Sequence, residues 1–251
     1  MDSPSAIKFP RRRFMRGLLK LLSYPAFKLV CRLEINGAEN LPAKGPLIVV
    51  GNHFSFIDPV TFVRVLPYPV EFLGGAETPH APPAARIIPI LWGYLPLYRG
   101  TGSRFALKAA ESILKQGGVI GIFPEGGSWA SVLRPARPGT AFLMTRTAAP
   151  ILPVGLAGLN DVFPSLKRGQ RATVTINIGK PFGPLTIDRS RESRAQLDEM
   201  GHEIMRRIAE LIPPDRRGHY SDDPAVREAA KGTEIYPWAD KVEGEVFGEA
   251  H

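Results

Sequence analysis

A histidine and an aspartate stand close together in Gly51-Asn52-His53-Phe54-Ser55-Phe56-Ile57-Asp58-Pro59, directly after the apolar run Pro46-Leu47-Ile48-Val49-Val50. An imidazole and a carboxylate delivered together at a strand end suit a general base and the group that orients it. On a continuous α-helix residues at this spacing lie about 140° apart around the axis, so His53 and Asp58 cannot share a helical face. They meet only if Phe54 to Ile57 form a turn. Pro59 favours that geometry, because it biases Asp58 away from helical angles and suits the first position of a helix through Thr61 and Phe62. Asp58 is then also a candidate cap for that helix. The two uses are compatible, since an ionised carboxylate has lone pairs for backbone N–H groups and for the imidazole.

Three further segments belong beside this pair. Phe123-Pro124-Glu125-Gly126-Gly127 follows an apolar run and combines a carboxylate at a strand end with glycines that let backbone approach a ligand. Gly93-Tyr94-Leu95-Pro96-Leu97-Tyr98-Arg99 ends on a guanidinium able to take an anionic group bidentately. Leu152-Pro153-Val154-Gly155 completes the set. Taken singly, Glu125 reads as a turn cap and Arg99 as a surface cation.

The elements that must position these groups follow from periodicity. Buried strands are expected at 46–50, 70–73, 119–123 and 150–156, with an alternating outer strand at 173–178. Helical spacing runs through Ser103 to Gln116, Thr140 to Ala148 and Arg191 to Ile212. Apolar strands alternating with helices predict one α/β domain with a largely parallel sheet and helices on both faces. In such a sheet ligands bind beyond the carboxyl ends of the strands, so the loops after Val50 and Phe123 should converge.

The chain of 251 residues is 44% hydrophobic, enough for a single sizeable core. Its one cysteine, Cys31, rules out an intrachain disulfide and reads as a buried or lipid-facing thiol, in keeping with a reducing cytoplasm. No signal-peptide pattern is visible, and no segment approaches the roughly 18 apolar residues that span a bilayer. The net charge of +8 is concentrated at the N-terminus, where Lys8, Arg11, Arg12, Arg13, Arg16, Lys20, Lys28 and Arg32 fall without an intervening acid. They alternate with Phe9, Phe14, Met15, Leu18, Leu19, Leu21, Leu22, Phe27, Leu29 and Val30, which predicts a basic amphipathic helix in residues 1–32, lying on an anionic membrane with one apolar and one cationic face. A nucleic-acid arm would have no use for those aliphatics, and no nucleic-acid partner is expected. The catalytic domain is then 33–212, and the polar stretch 213–251 reads as a weakly ordered tail.

The order His-x4-Asp, Gly-x5-Arg, Phe-Pro-Glu-Gly, then a Pro-Val strand resembles the glycerolipid acyltransferase family that includes lysophosphatidic acid acyltransferases. The resemblance runs from about Leu33 to Ile178, and the first and third blocks are its specific parts. It implies that His53 is the base that deprotonates an acceptor hydroxyl and that Asp58 holds the imidazole. The donor would be an acyl thioester of coenzyme A or acyl carrier protein, used as co-substrate with no other cofactor and no metal. Arg99, Glu125, Gly126, Gly127 and Trp129 would form the acceptor site, and Phe54, Phe56 and Pro153 the acyl-chain groove, with apolar residues between Ile87 and Tyr98. The acceptor would be a lysophospholipid or related lipid, met by a peripheral protein on the cytoplasmic face of a membrane. One departure matters. The family's third block usually continues Thr-Arg-Ser, its Arg pairing with the acceptor phosphate, whereas this chain has Gly127-Ser128-Trp129. Arg134 and Arg137 are the nearby substitutes. The change bears on the acceptor more than on acyl transfer.

Two other classes compete. Gly126-Gly127-Ser128-Trp129-Ala130 nearly reproduces a nucleophile elbow, which would make a serine hydrolase with His202 or His219 as its base. A non-catalytic lipid-binding protein would use the basic face alone, leaving His53, Asp58 and the Phe-Pro-Glu-Gly loop without a purpose.

Overall fold

Along Leu47-Ile48-Val49-Val50 alternate side chains point to opposite faces of a sheet, and all four are buried, so this strand has no solvent side. The fold is built around it. The computed structural model describes residues 7–75, 87–97, 104–188 and 193–235. Within them the strands are β1 (Cys31–Asn36), β2 (Leu47–Gly51), β3 (Glu71–Gly75), β4 (Leu95–Leu97), β5 (Val119–Ile122), β6 (Ile151–Ala157) and β7 (Ala172–Ile178). They form one sheet in the order β1-β7-β6-β2-β5-β3-β4. Every pairing is parallel except β6 with β7, so the largely parallel α/β sheet expected from the periodicity is observed. Because of that reversal, the starts of β1 and β7 share an end of the sheet with the carboxyl ends of β2, β5 and β6.

Helices cover both faces. Ile48, Val50, Ile120 and Ile151 pack under α4 (Arg104–Lys115), α5 (Pro138–Thr147) and α7 (Ser193–Ala209). Leu47, Val49, Leu152 and Val174 pack under α1 (Arg13–Val30), α2 (Asp58–Val65) and α6 (Val162–Lys167). Phe62 of α2 is 2% exposed, and burying such a side chain contributes roughly 1.5–3 kcal/mol. Its ring lies where a Cβ on Gly51 would sit, 2.8 Å away, so only glycine lets α2 fold back onto the end of β2.

Three regions differ from the sequence expectation. The connector before β4 contains a short helix, α3 (Ile87–Trp92), whose Trp92 reaches the core. Residues 214–235, read as part of a weakly ordered tail, form two 3-10 turns and α8 (Pro224–Ala230). Ser221 and Ala230 are buried there, and Gly218 packs so closely on Leu133 that a Cβ would lie 2.3 Å from its carbonyl oxygen. The third concerns α1, which packs on the domain through part of its basic face, while Arg13 and Lys28 stay exposed. Arg16, Ser23 and Phe27 are buried against the domain, while Phe14, Leu18, Leu21, Leu22 and Leu29 face outward. The reason is Glu71 at the start of β3, which is fully buried. Arg16 forms a forked pair with its carboxylate, with Nη2 at 2.7 Å from Oε2, and Nε donates to the Trp92 carbonyl at 2.9 Å. Arg11 adds Nη2 to Oε2 at 2.6 Å, and Lys20 Nζ donates to the Leu66 carbonyl at 2.6 Å. A buried carboxylate needs such partners, and they draw the cations inward.

Candidate active site

The loop leaving β2 turns as the spacing requires. His53 Nδ1 lies 2.9 Å from Asp58 Oδ2, and the same oxygen accepts the backbone N–H groups of Phe54 and Ser55, each at 2.8 Å. Asp58 is the first residue of α2 and caps the turn before the helix, not the helix itself. With Nδ1 facing a carboxylate, the ring proton belongs on Nδ1 and the lone pair on Nε2. Asp58 is 1% exposed and the His53 side chain 17%. Burial pushes the Asp58 carboxyl above its ordinary range, opposed by the hydrogen bond and charge of His53 and by the two backbone N–H groups. The imidazole stacks on Phe123 at 4.4 Å between ring centroids, and Phe123 rests in turn on Phe62 at 5.0 Å.

The loops after β2 and β5 converge, and Glu125 joins them. Its Oε1 accepts the backbone N–H of His53 at 2.7 Å, and its Oε2 accepts Arg134 Nε at 3.0 Å. Arg134 also donates to the Gly127 carbonyl and stacks on Trp129, 3.9 Å from the ring centroid. Burial raises the Glu125 carboxyl to about 7 despite the guanidinium beside it. The residue expected to touch the acceptor is 1% exposed and positions His53 instead. Arg134 is likewise 1% exposed and occupied by Glu125, so it does not replace the arginine missing from the third block. Arg137 is the exposed cation of this loop, packed beside Gly126, where a Cβ would lie 3.1 Å from its Cγ.

The remaining expected residues divide. Gly126, in a left-handed conformation with φ +80°, closes a turn by donating its N–H to the Phe123 carbonyl at 3.0 Å and is exposed beside the site. Trp129 donates Nε1–H to the Thr233 carbonyl at 2.8 Å, so it seats the C-terminal segment where a surface for the acceptor was expected. Phe54 is half-buried against the core, and Phe56 stacks on Phe163 at 5.7 Å. Pro153 is buried inside β6, paired in register with Val50, and does not line a groove. Arg99 lies outside the described residues. The serine of the near-elbow has no base: among the described residues no hydrogen bond joins Ser128 to an imidazole, His202 Nδ1 meets Tyr220 Oη at 2.9 Å, and His219 Nε2 meets Glu234 at 3.2 Å.

Asn52 and the pairing of Arg134 with Glu125 escaped the sequence reading, which named Arg134 only as a substitute for the missing arginine. Asn52 is 1% exposed and exchanges both amide hydrogen bonds with Leu156, at 2.7 and 2.9 Å, tying the catalytic loop to β6. An amide directly after a fully apolar strand signals such a pairing, because a buried amide must be satisfied. Arg134 carried no local signal. Among the described residues no group of three or more His, Cys, Asp or Glu side chains is placed to hold a metal ion, and no helix is long and apolar enough to cross a membrane.

The fold and the paired imidazole and carboxylate define an α/β protein with a His–Asp pair at the carboxyl end of a central strand. The particular family follows from comparison. Residues 32–157 match the acyltransferase family model, half of the chain, and the protein belongs to that family. It is 29% identical over 135 residues to the 1-acyl-sn-glycerol-3-phosphate acyltransferase of Borreliella burgdorferi, covering 53% of this chain and 54% of the relative. It is 28% identical to a chloroplastic 1-acyl-sn-glycerol-3-phosphate acyltransferase of Brassica napus, over 74% of this chain and 56% of that one. The match thus spans about half the length of both relatives. With the Bacillus subtilis 1-acyl-sn-glycerol-3-phosphate acyltransferase it is 23% identical over 71% of this chain and 87% of the relative. The crystal structure of the Thermotoga maritima 1-acyl-sn-glycerophosphate acyltransferase PlsC shares the fold, with a TM-score of 0.54 at 23% identity, over 79% of this chain and 83% of that one.

Proposed function

We propose that the protein transfers a fatty acyl group from a thioester of coenzyme A or acyl carrier protein to a hydroxyl of a lysophospholipid or related lipid. The observation that supports this most is the orientation of His53, whose Nδ1 is engaged by a buried carboxylate while Nε2 remains for a substrate proton. Nε2 takes the acceptor hydroxyl proton as the oxygen attacks the thioester carbonyl carbon. The tetrahedral intermediate collapses with cleavage of the carbon–sulfur bond, and the imidazolium returns the proton to the departing thiolate. Asp58 holds the reactive tautomer and offsets the charge on the imidazolium. General-base catalysis of this kind contributes ~10²–10⁴-fold. Arg137, exposed beside Gly126 and held by its Nη2 to the Glu234 carbonyl at 3.0 Å, is the cation we assign to the acceptor phosphate.

The reading includes peripheral association with the cytoplasmic face of a membrane. Its support is the outward apolar row of α1, continued by Ile87, Ile88 and Ile90 on α3, all exposed. The two helices are joined where Arg12 Nη1 donates to the Ile90 and Leu91 carbonyls. The apolar side, not the cationic one, would then enter the lipid.

The test is thiol release from acyl-CoA and acyl carrier protein donors with lysophospholipid, glycolipid and neutral alcohol acceptors. His53→Ala abolishes acceptor-dependent release, and Ser128→Ala leaves it intact. Loss with Ser128→Ala, or release that no acceptor stimulates, would overturn the assignment.

A further inference from the structure

We propose that the groove between the second half of α1, the start of β1 and the end of α2 binds the phosphate of an anionic phospholipid head group. It has a volume of about 640 Å³ and is lined by Tyr24, Lys28, Cys31, Arg32, Arg64 and Arg171, with apolar residues between them. None of the lining residues is acidic. Among the described residues Lys28, Arg32, Arg64 and Arg171 take part in no ion pair, whereas Arg11, Arg16 and Arg134 elsewhere are each matched to a buried glutamate. Cations gathered without a counter-charge repel one another, and a bound anion relieves that repulsion.

Two of them are held in place before any ligand arrives. The Arg64 guanidinium lies 3.9 Å from the Tyr24 ring centroid, and Arg171 Nη1 donates to the Lys28 carbonyl at 2.8 Å. Arg64 Nε is buried with no hydrogen-bond partner. A buried N–H without a partner inside a basic groove calls for an acceptor from outside the chain, and phosphate oxygens accept from guanidinium forks.

The position of the groove selects a lipid over a soluble anion. Lys28 and Tyr24 lie about 20° and 60° around the helix from Leu21, so they border the exposed row Phe14, Leu18, Leu21, Leu22 and Leu29 on one side. A helix bedded by that row carries its flank at head-group depth, where a tyrosine ring and a lysine stem are at home. The inference rests on the membrane association proposed above and adds a site that recognises lipid charge.

Flotation with phosphatidylcholine vesicles, with and without phosphatidylglycerol, tests it on the full chain. Wild-type protein prefers the anionic vesicles. Arg64→Gln with Arg171→Gln lowers that preference roughly 30-fold, about fivefold for each charge removed near an anionic surface, and leaves binding to neutral vesicles unchanged. Arg64→Lys with Arg171→Lys, which keeps the charge, retains most of the preference. Lys108→Gln with Lys115→Gln, on the opposite face of the sheet, retains it as well. Equal loss in the opposite-face pair overturns the proposal. So does abolition of the preference by inorganic phosphate at matched ionic strength, which would assign the groove to a soluble anion. Flotation needs no turnover, so a protein that floats with its anionic preference but transfers no acyl group contradicts the catalytic reading alone. Turnover of a water-soluble acceptor without any anionic preference contradicts this one alone.

Discussion

Glu71 and Glu125 are both buried glutamates that meet arginine, and they do different work. Glu71 collects Arg11 and Arg16 from a segment far away in sequence and anchors α1 with its apolar side out. Glu125 takes Arg134 from the same loop and the backbone N–H of His53 from another, and so fixes the backbone that carries the imidazole. One arrangement attaches a surface to the domain, and the other aligns a site. The difference lies in the second partner: another guanidinium at Glu71, where Arg11 and Arg16 share Oε2, and the His53 backbone N–H at Glu125. The two pairs are therefore expected to fail in different assays.

The largest effect sets the scale for that contrast. Asp58→Asn retains an oxygen for the Phe54 and Ser55 N–H groups but no longer stabilises an imidazolium. Acyl transfer should fall by ~10²-fold or more in kcat, toward the full contribution of general-base catalysis, with a smaller change in KM. A variant of near wild-type kcat would show that the pair is not the base.

Glu125→Gln and Glu71→Gln come next. Removing one partner of a buried ion pair costs about 3–5 kcal/mol because the other charge stays buried, and urea unfolding should show losses of that order. Glu71→Gln should be the milder of the two, since the Arg11 side chain is already 25% exposed and can turn to water. The sharper contrast is in kcat for a water-soluble acceptor, lowered by Glu125→Gln and unchanged by Glu71→Gln. Equal losses would dissolve the distinction drawn between them.

How far these roles are legible in the sequence depends on how local their causes are. The meeting of His53 and Asp58 follows from their spacing and Pro59, and the turn is what the structure contains. The strand end bearing Glu125 was equally legible, but its partners were not, because the approach of the β2 loop to the β5 loop sets them. The orientation of α1 has the same origin. Helical spacing separates Arg16, Lys20, Ser23 and Phe27 from Phe14, Leu18, Leu21, Leu22 and Leu29, yet it cannot say which row faces the protein. A buried glutamate at the start of β3 decides. The helix within 214–235 did carry a local signal, since the Asp223 side chain accepts the Ala225 N–H at 2.8 Å ahead of Pro224 at the helix start. A polar composition masked it.

A smaller effect belongs to Glu125 and is read by pH. The Glu125 carboxyl titrates near 7 in the folded protein against an ordinary value of 4.5, so the native state holds this proton more tightly than the unfolded chain. The stability this contributes is fully present below about 4.5 and is lost as pH rises through about 7. The melting temperature of the wild type should therefore fall across that window relative to Glu125→Gln, which has no carboxyl to titrate. Parallel profiles for wild type and Glu125→Gln would show that burial does not hold this proton.

The smallest effect concerns a third attachment, made without a buried ion pair. Trp129 Nε1–H to the Thr233 carbonyl and Arg137 Nη2 to the Glu234 carbonyl hold the C-terminal segment against the loop after β5. Trp129→Phe keeps an aromatic face under Arg134 and deletes one hydrogen bond, so the urea midpoint should reflect a loss of about 0.5–1.5 kcal/mol. Loosening this segment frees Arg137, the cation assigned to the acceptor phosphate, from a neighbour that fixes its direction. KM for a phosphorylated acceptor should therefore rise while kcat and KM for a neutral alcohol stay as they were. A stability loss without that split would make the segment mere packing and would return the acceptor phosphate to a residue other than Arg137.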